Sequence, residues 1–522
     1  MEKCILLFVG VLIFSISAFA QNDEFEKFKQ QRAQEFEQFK NERDAEFAKF
    51  LHERWQEMET SQAVEPPTQP VPPKPEVYKP VVPTKDSVSG TPINNVPDNQ
   101  TKPQKIDIPQ TVPTDTNIIK TDTIELKSIP AIPVPDQKGK GQTALPAIDT
   151  ITSMLQCSFY GCPSTAPFLS DYRIKLADAN EEAFAAAWTK LAQTDYESTL
   201  TFFRNQCDKW GLNDWGMYCL VKMYSESIFD KFHLNERIVF QNFFLTHLGY
   251  RVRTARVNQT LVLLFPFSEM MYSTMYLTLD GQRYFILSDE NNNGSFYTFN
   301  KDFDEKGKIG SLLFQTPMKL SCNEEAHLPL WDNVLGIKSH IPVSTSYIDF
   351  TYSYPQFDLQ DYHQCAVNSE LSNVVLEQVK AQIKDKNEVE AVTFILNLVQ
   401  NGFDYMTDEE MFGRQKTLFI EESFYYGMNN CKDRVLIFSW LVENLLNLPT
   451  AMLVFEGNPG HAACGVCFTS AVEGDTFACQ NRQYVMCDPT YINAPIGLTM
   501  PQFRNAKPEI IELKKNKIVD RF

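Results

Sequence analysis

NCKDRVLIFSWLVENLL (430–446), followed by NPGHAACGVCF (458–468) and QYVMCDPTYINAPIG (483–497), is the stretch on which the reading of this chain turns. From Val435 to Leu446 apolar side chains occupy nearly every face, the mark of a helix buried on all sides. Pro449 is expected to end it, because proline disfavours helix at the residue before it and cannot extend the hydrogen-bond ladder. Cys431 then stands in the first turn. Unpaired backbone N–H groups and the helix dipole favour a thiolate there and offer an oxyanion hole.

His461 follows Asn458-Pro459-Gly460 and opens a run in which His461, Ala463, Gly465 and Cys467 share one strand face. Asp488 ends the strand YVMCD, which puts Tyr484, Met486 and Asp488 on one face. If the two strands are neighbours, the carboxylate can orient the imidazole and stabilise its protonated form. Singly, a cysteine in an apolar helix, one histidine and an Asp-Pro each have an ordinary structural explanation. Together, in the order Cys, His, Asp, they describe a nucleophile with its base and orienter.

The segments NCKDR, PGHA and DPTY resemble the transglutaminase-like cysteine enzymes, bacterial exported members among them, over roughly residues 370 to 500. The resemblance implies a papain-like core, with Cys431 as nucleophile, His461 as general base and acid, and Asp488 as orienter. It implies acyl transfer from an amide through a thioester, resolved by an amine or by water, with no metal and no cofactor. The family tends to carry glycine two residues before the cysteine, where this chain has Asn429. Water is the default acceptor in an aqueous exported compartment. Hydrolysis of an amide, in a protein, a peptide or a peptidoglycan-type substrate, is therefore the expected function. Protein crosslinking, or a non-catalytic binding or scaffold role, is the alternative.

Residues 1 to 20 read as a signal peptide: Lys3, an apolar run from Ile5 to Phe19, and Ala18-Phe19-Ala20 before Gln21. A periplasmic or secreted protein without a transmembrane segment is expected. Cleavage would leave eleven of the 12 cysteines, an odd number, so at least one thiol stays unpaired. Cys157 with Cys162, and Cys207 with Cys219, are close enough in sequence to pair. The net charge of -18 argues against nucleic acid as a partner. Residues 21 to 60 hold three 11-residue units whose phenylalanines (Phe25, Phe28, Phe36, Phe39, Phe47, Phe50) fall in register on a helix. That stripe serves self-association or docking, or belongs to a solvated helix laced with ion pairs. Residues 61 to 150, with 17 of the 30 prolines, read as a disordered linker holding the repeat away from the folded part.

The rest reads as α+β. An α+β domain is expected over 151 to 365, with helices from about Asn180 and strands in RVRTARV, TLVLLFPF, YLTLDGQRYFIL and SYIDFTYSY. The domain of transglutaminase-like type is expected over 366 to 522, its helices packed on an antiparallel sheet. Residues 235 to 252 can be laid beside 432 to 449 without a gap, which sets Leu234 on Cys431 and Arg237 on Arg434. Either the first domain is a degenerate copy of the second, or two buried helices that lead into strands simply look alike. Asp289, Asn291, Asn293 and Gly294 open like a calcium loop, but position twelve is Asn300 rather than a bidentate glutamate, so a hairpin tip is expected. Cys464 and Cys467 have zinc-like spacing with no second pair, and no metal is expected. Cys464 reads as a packing residue or as a disulfide partner of Cys479 or Cys487. For a side-chain oxyanion donor, Gln415, Tyr425 and Tyr426 lie in the right stretch.

Overall fold

The computed structural model describes residues 27, 30–32, 34–35, 37–38, 40–66, 75–79, 152–288, 294–303, 306–321, 323–457 and 460–514. The expected signal peptide, four of the six stripe phenylalanines, most of the proline-rich stretch and Asp289, Asn291 and Asn293 lie outside them. The fold is mixed α and β, with antiparallel sheets and helices packed against them. Among the described residues no helix is long and apolar enough to cross a membrane.

In chain order, helix α1 ends at residue 50 and is followed by β1 (Gln56–Met58) and β2 (Thr60–Ser61). A hairpin, β3 (Thr152–Phe159) and β4 (Cys162–Leu169), leads to four helices. These are α2 (Glu181–Ala192), α3 (Glu197–Trp210), α4 (Asp214–Ile228) and α5 (Leu234–His247). Next come β5 (Arg253–Val257), β6 (Thr260–Phe265), β7 (Tyr276–Leu279), β8 (Gln282–Leu287) and β9 (Phe296–Thr298). They form a sheet in the order β1-β9-β5-β6-β8-β7-β2, whose two edges are the short strands after α1. Asp280 and Gly281 turn the β7–β8 hairpin with positive φ of 50° and 78°, as the Asp-Gly pair requires.

The connecting region holds β10 (Glu324–Ala326), α6 (Pro329–Leu335), β11 (Ile341–Val343), α7 (Thr345–Tyr352) and α8 (Leu359–His363). Here SYIDFTYSY is helical, not a strand. Its aromatic and β-branched content favours a strand, but Tyr347, Ile348, Phe350, Thr351 and Tyr354 are buried at helical spacing, and Ser344 Oγ caps the helix by accepting from the Tyr347 N–H at 3.2 Å. The last part contains α9 (Ser369–Ile383), α10 (Glu388–Asn401), β12 (Asp404–Tyr405), α11 (Asp408–Phe412), α12 (Ile420–Tyr426), β13 (Met428–Asn429) and α13 (Cys431–Leu446). Then follow β14 (Thr450–Phe455), β15 (His461–Val466), β16 (Thr476–Cys479), β17 (Arg482–Cys487) and β18 (Glu509–Glu512), a sheet in the order β16-β17-β15-β14-β18. Helix α13 packs on β15 and on α10. The buried face of α10 (Ala391, Val392, Ile395, Leu396, Leu398, Val399) seals it from the other side, each large apolar side chain contributing about 1.5–3 kcal/mol. The residue that stops α13 is Asn447, left-handed at φ 55°; Pro449 lies two residues further on.

One buried apolar cluster runs from Phe47 to Leu513. Its first members correct the expectation that the repeat is held at a distance. Phe47, Leu51 and Trp55 are buried, and the Phe47 ring packs on Trp188 at 4.3 Å and on Phe303 at 4.6 Å. Two members of the phenylalanine stripe, Phe47 and Phe50, are therefore satisfied within the chain. Part of the proline-rich stretch is docked too: Val77 bridges Ile492, the Tyr78 N–H donates to the Ile492 carbonyl at 2.9 Å, and the Ile492 N–H donates to the Glu76 carbonyl at 2.9 Å.

Candidate active site

Cys431 is the first residue of α13, preceded by Asn430 in extended conformation. Its first turn is a buried polar knot rather than the apolar surface of the later turns. The Lys432 ammonium donates to both Asp408 carboxylate oxygens at 2.9 and 2.8 Å, and the Asn430 amide donates to the same carboxylate at 2.6 Å. Asp433 accepts from the backbone N–H groups of Leu418 at 3.0 Å and Asn430 at 3.3 Å, and burial lifts its carboxyl to about 6. Arg434 is 1% exposed. Its guanidinium donates to Asn429 Oδ1 (3.0 Å) and to the carbonyls of Gln400 (3.1 Å), Phe403 (2.8 Å) and Pro489 (3.4 Å). These contacts join the helix start to α10 and to the turn after β17. That buried cation lies close enough to Cys431 and Asp488 for each to favour its charge, although burial pulls it down to about 10.

Strands β15 and β17 are neighbours, with Cys464 opposite Cys487 and Gly465 opposite Met486. Strand alternation then sends His461 and Asp488 to the same face, where His461 Nε2 meets Asp488 Oδ2 at 2.8 Å. The other carboxylate oxygen accepts from the N–H groups of Thr490 (2.9 Å) and Tyr491 (3.2 Å), so the aspartate is fixed from both sides. Gln400 is 2% exposed and ties the same turn to α10, donating to the carbonyls of Asp488, Tyr491 and Ala494 at 3.0, 2.8 and 3.1 Å.

Burial alone would lower the affinity of His461 for its proton. The Asp488 carboxylate and the neighbouring Cys431 outweigh it and raise the imidazole to about 10, so the ring is an imidazolium at neutral pH. Its Nδ1 is buried and makes no hydrogen bond of normal geometry, although the Cys431 thiol acts on the ring electrostatically. Phe455 and Phe503 lie nearly parallel to the ring, with centroids at 6.4 and 5.2 Å. Cys431, His461 and Asp488 are 4%, 1% and 2% exposed, so all three lie almost wholly inside the protein.

The three residues singled out from sequence are thus brought together. Gln415 is exposed, and Tyr425 and Tyr426 are half-buried with their rings on each other and on Phe412. The residue missed is Tyr405. Strand β12 pairs in parallel with β13 and sets Tyr405 opposite Asn429. The Tyr405 ring lies under the Arg434 guanidinium at 5.5 Å, its hydroxyl is buried without a hydrogen-bond partner, and it lies within electrostatic reach of Cys431. Asn429 is fully buried and its Nδ2 also lacks a partner. A two-residue parallel pair leaves no periodicity to read, and the only sequence signal is a tyrosine in NGFDYM, just after a helix end.

The ten cysteines among the described residues are free thiols, including the pairs Cys157 with Cys162 and Cys207 with Cys219. Among the described residues no group of three His, Cys, Asp or Glu side chains is gathered as for a metal ion. No family model matches the chain, and no curated protein matches it.

Proposed function

We propose that this chain is a cysteine acyl-transfer enzyme with a transglutaminase-like core that hydrolyses an amide bond through a thioester at Cys431. The observation that carries the reading is an imidazole hydrogen-bonded to a buried carboxylate just after β17 and lying within electrostatic reach of a thiol at a helix start. In the first step Cys431 Sγ bonds to the amide carbonyl carbon, the C–N bond breaks, and the imidazolium gives its proton to the departing amine. In the second, water attacks the thioester carbon and His461 takes its proton. The carboxylic acid leaves and the thiolate returns. The backbone N–H at the start of α13 and the Tyr405 hydroxyl are the donors for the oxyanion of each tetrahedral intermediate. Export, expected from residues 1 to 20, is kept as part of the proposal.

The burial of all three groups favours a second reading, a closed and non-catalytic copy of such an enzyme that serves as a scaffold. Iodoacetamide labelling of the mature protein from pH 5 to 9, read at Cys431 by peptide mass spectrometry, separates the two. The catalytic reading expects Cys431 to be labelled at pH 6, with loss of that labelling in His461→Ala. Labelling that appears only near about pH 8.5, unchanged in His461→Ala, excludes it.

A further inference from the structure

Helices α5 and α13 each lead into five antiparallel strands. Numbered from the helix, the strands lie in the order fifth, first, second, fourth, third in both sheets: β9-β5-β6-β8-β7 and β18-β14-β15-β17-β16. A simple meander would not give this order, because the chain leaves the second strand, skips a place, and returns through the hairpin of the third and fourth. The agreement extends to register. Leu263 pairs with Leu287, Leu264 with Ile286 and Phe265 with Phe285; the counterparts are Cys464 with Cys487, Gly465 with Met486 and Val466 with Val485. Both third-to-fourth hairpins have two-residue turns, Leu279 facing Gln282 and Cys479 facing Arg482, with Asp280 and Gln480 left-handed at φ 50° and 51°. In both fourth strands the third residue is a buried tyrosine bonded to a carboxylate, four residues past the fifth strand in the first sheet and within the fifth strand in the second. Tyr284 meets Asp302 at 2.8 and 2.9 Å, and Tyr484 meets Glu512 at 2.7 Å.

These correspondences fix the places of the three site residues in the first sheet. Leu234 opens α5 as Cys431 opens α13. Thr260 opens the second strand and pairs with Val257, as His461 does with Phe455. Ser288 follows the fourth strand directly, as Asp488 does. A surface pocket lies at the same place, lined by Leu234, Ile238, Thr260, Leu261, Leu287 and Ser288 among others. Leucine has no nucleophilic atom, the threonine hydroxyl is no general base near neutral pH, and the serine hydroxyl carries no charge to stabilise an imidazolium.

We propose that residues 234 to 302 are a second copy of the module that carries Cys431, and that this pocket is its vacated active site, with Leu234, Thr260 and Ser288 in the places of nucleophile, base and orienter. The copy cannot form a thioester, so of the two modules only the one with Cys431 carries a nucleophile at the helix start. The assignment of roles rests on the catalytic reading above, whereas the equivalence of positions does not.

The test restores the chemistry in the mature full-length protein carrying Cys431→Ala. Leu234→Cys alone and Leu234→Cys/Thr260→His/Ser288→Asp are labelled with iodoacetamide from pH 5 to 9, and alkylation at position 234 is read by peptide mass spectrometry. The single variant is expected to react as an ordinary thiol, and the triple variant at least about tenfold faster at pH 6. A triple variant that melts like its parent but labels like the single one overturns the proposal. Leu234 and Thr260 are only half-buried, so Leu234→Cys/Thr260→His gives the same comparison should the triple variant not fold. Cys431 in the unaltered protein is labelled in parallel. Ordinary behaviour there removes the catalytic reading alone, and a crystal structure then decides the equivalence. Overlaying β6 and β8 on β15 and β17 must bring Leu234, Thr260 and Ser288 onto Cys431, His461 and Asp488, and a mismatch ends the proposal.

Discussion

Arg434 sits one helical turn beyond Cys431 and is held by four neutral oxygens in a site almost without water. Its fork cannot be copied by an ammonium or an apolar chain. Arg434→Met should destabilise the protein by about 3–5 kcal/mol by leaving buried acceptors empty, and Arg434→Lys should recover only part of this, both read by denaturant unfolding. The protonation of His461 makes a signed prediction. Its value in the folded protein lies above the ordinary 6.5, so its stabilising contribution is complete below pH 6.5 and is lost as pH rises toward about 10. Unfolding curves from pH 6 to 10 should decline more steeply for the parent than for His461→Ala. Turnover of a suitable amide should fall over the same alkaline range, and His461→Ala should reduce it by at least about a thousandfold. Cys431, His461 and Asp488 were legible in the sequence because each carries local punctuation, a helix start, a glycine turn or an Asp-Pro. Arg434 and Tyr405 were not legible as site residues, because the partners that place their side chains, all but the Asn429 acceptor of Arg434, lie 24 or more positions away.

Among the elements, the two-residue pair of β12 with β13 gives Asn429 its place: the side chain accepts from Arg434 and the residue lies opposite Tyr405. Asn429→Gly should therefore cost about 1–3 kcal/mol in thermal or denaturant unfolding, and Asn429→Asp, which keeps the acceptor, should cost less. Most long helices were legible from period, α10 over EVEAVTFILNLVQ and α5 over NERIVFQNFFLTH, and the β7–β8 hairpin from the Asp280-Gly281 turn signal between two alternating runs. Helix α7 was not. Its residues favour strand one by one, and only the burial of 347, 348, 350, 351 and 354, a property of the packed molecule, selects the helical turn.

At the scale of the whole molecule, the third phenylalanine repeat belongs to the core. An 11-residue stripe looks the same whether its partner is another chain or a later part of its own, so the sequence could not say which surface it covers. Phe47→Ala should cost about 3 kcal/mol or more and lower the melting temperature of the entire protein, which calorimetry would register as a shift of the main transition. The docking of Glu76–Tyr78 on Ile492 has a further consequence. The chain on either side of residues 80–151 is held on the folded body, at Glu76–Tyr78 before it and from β3 onward after it. A single cut between 79 and 152 should therefore not part the two pieces. The two fragments should separate on a denaturing gel yet leave a sizing column as one particle of unchanged mass.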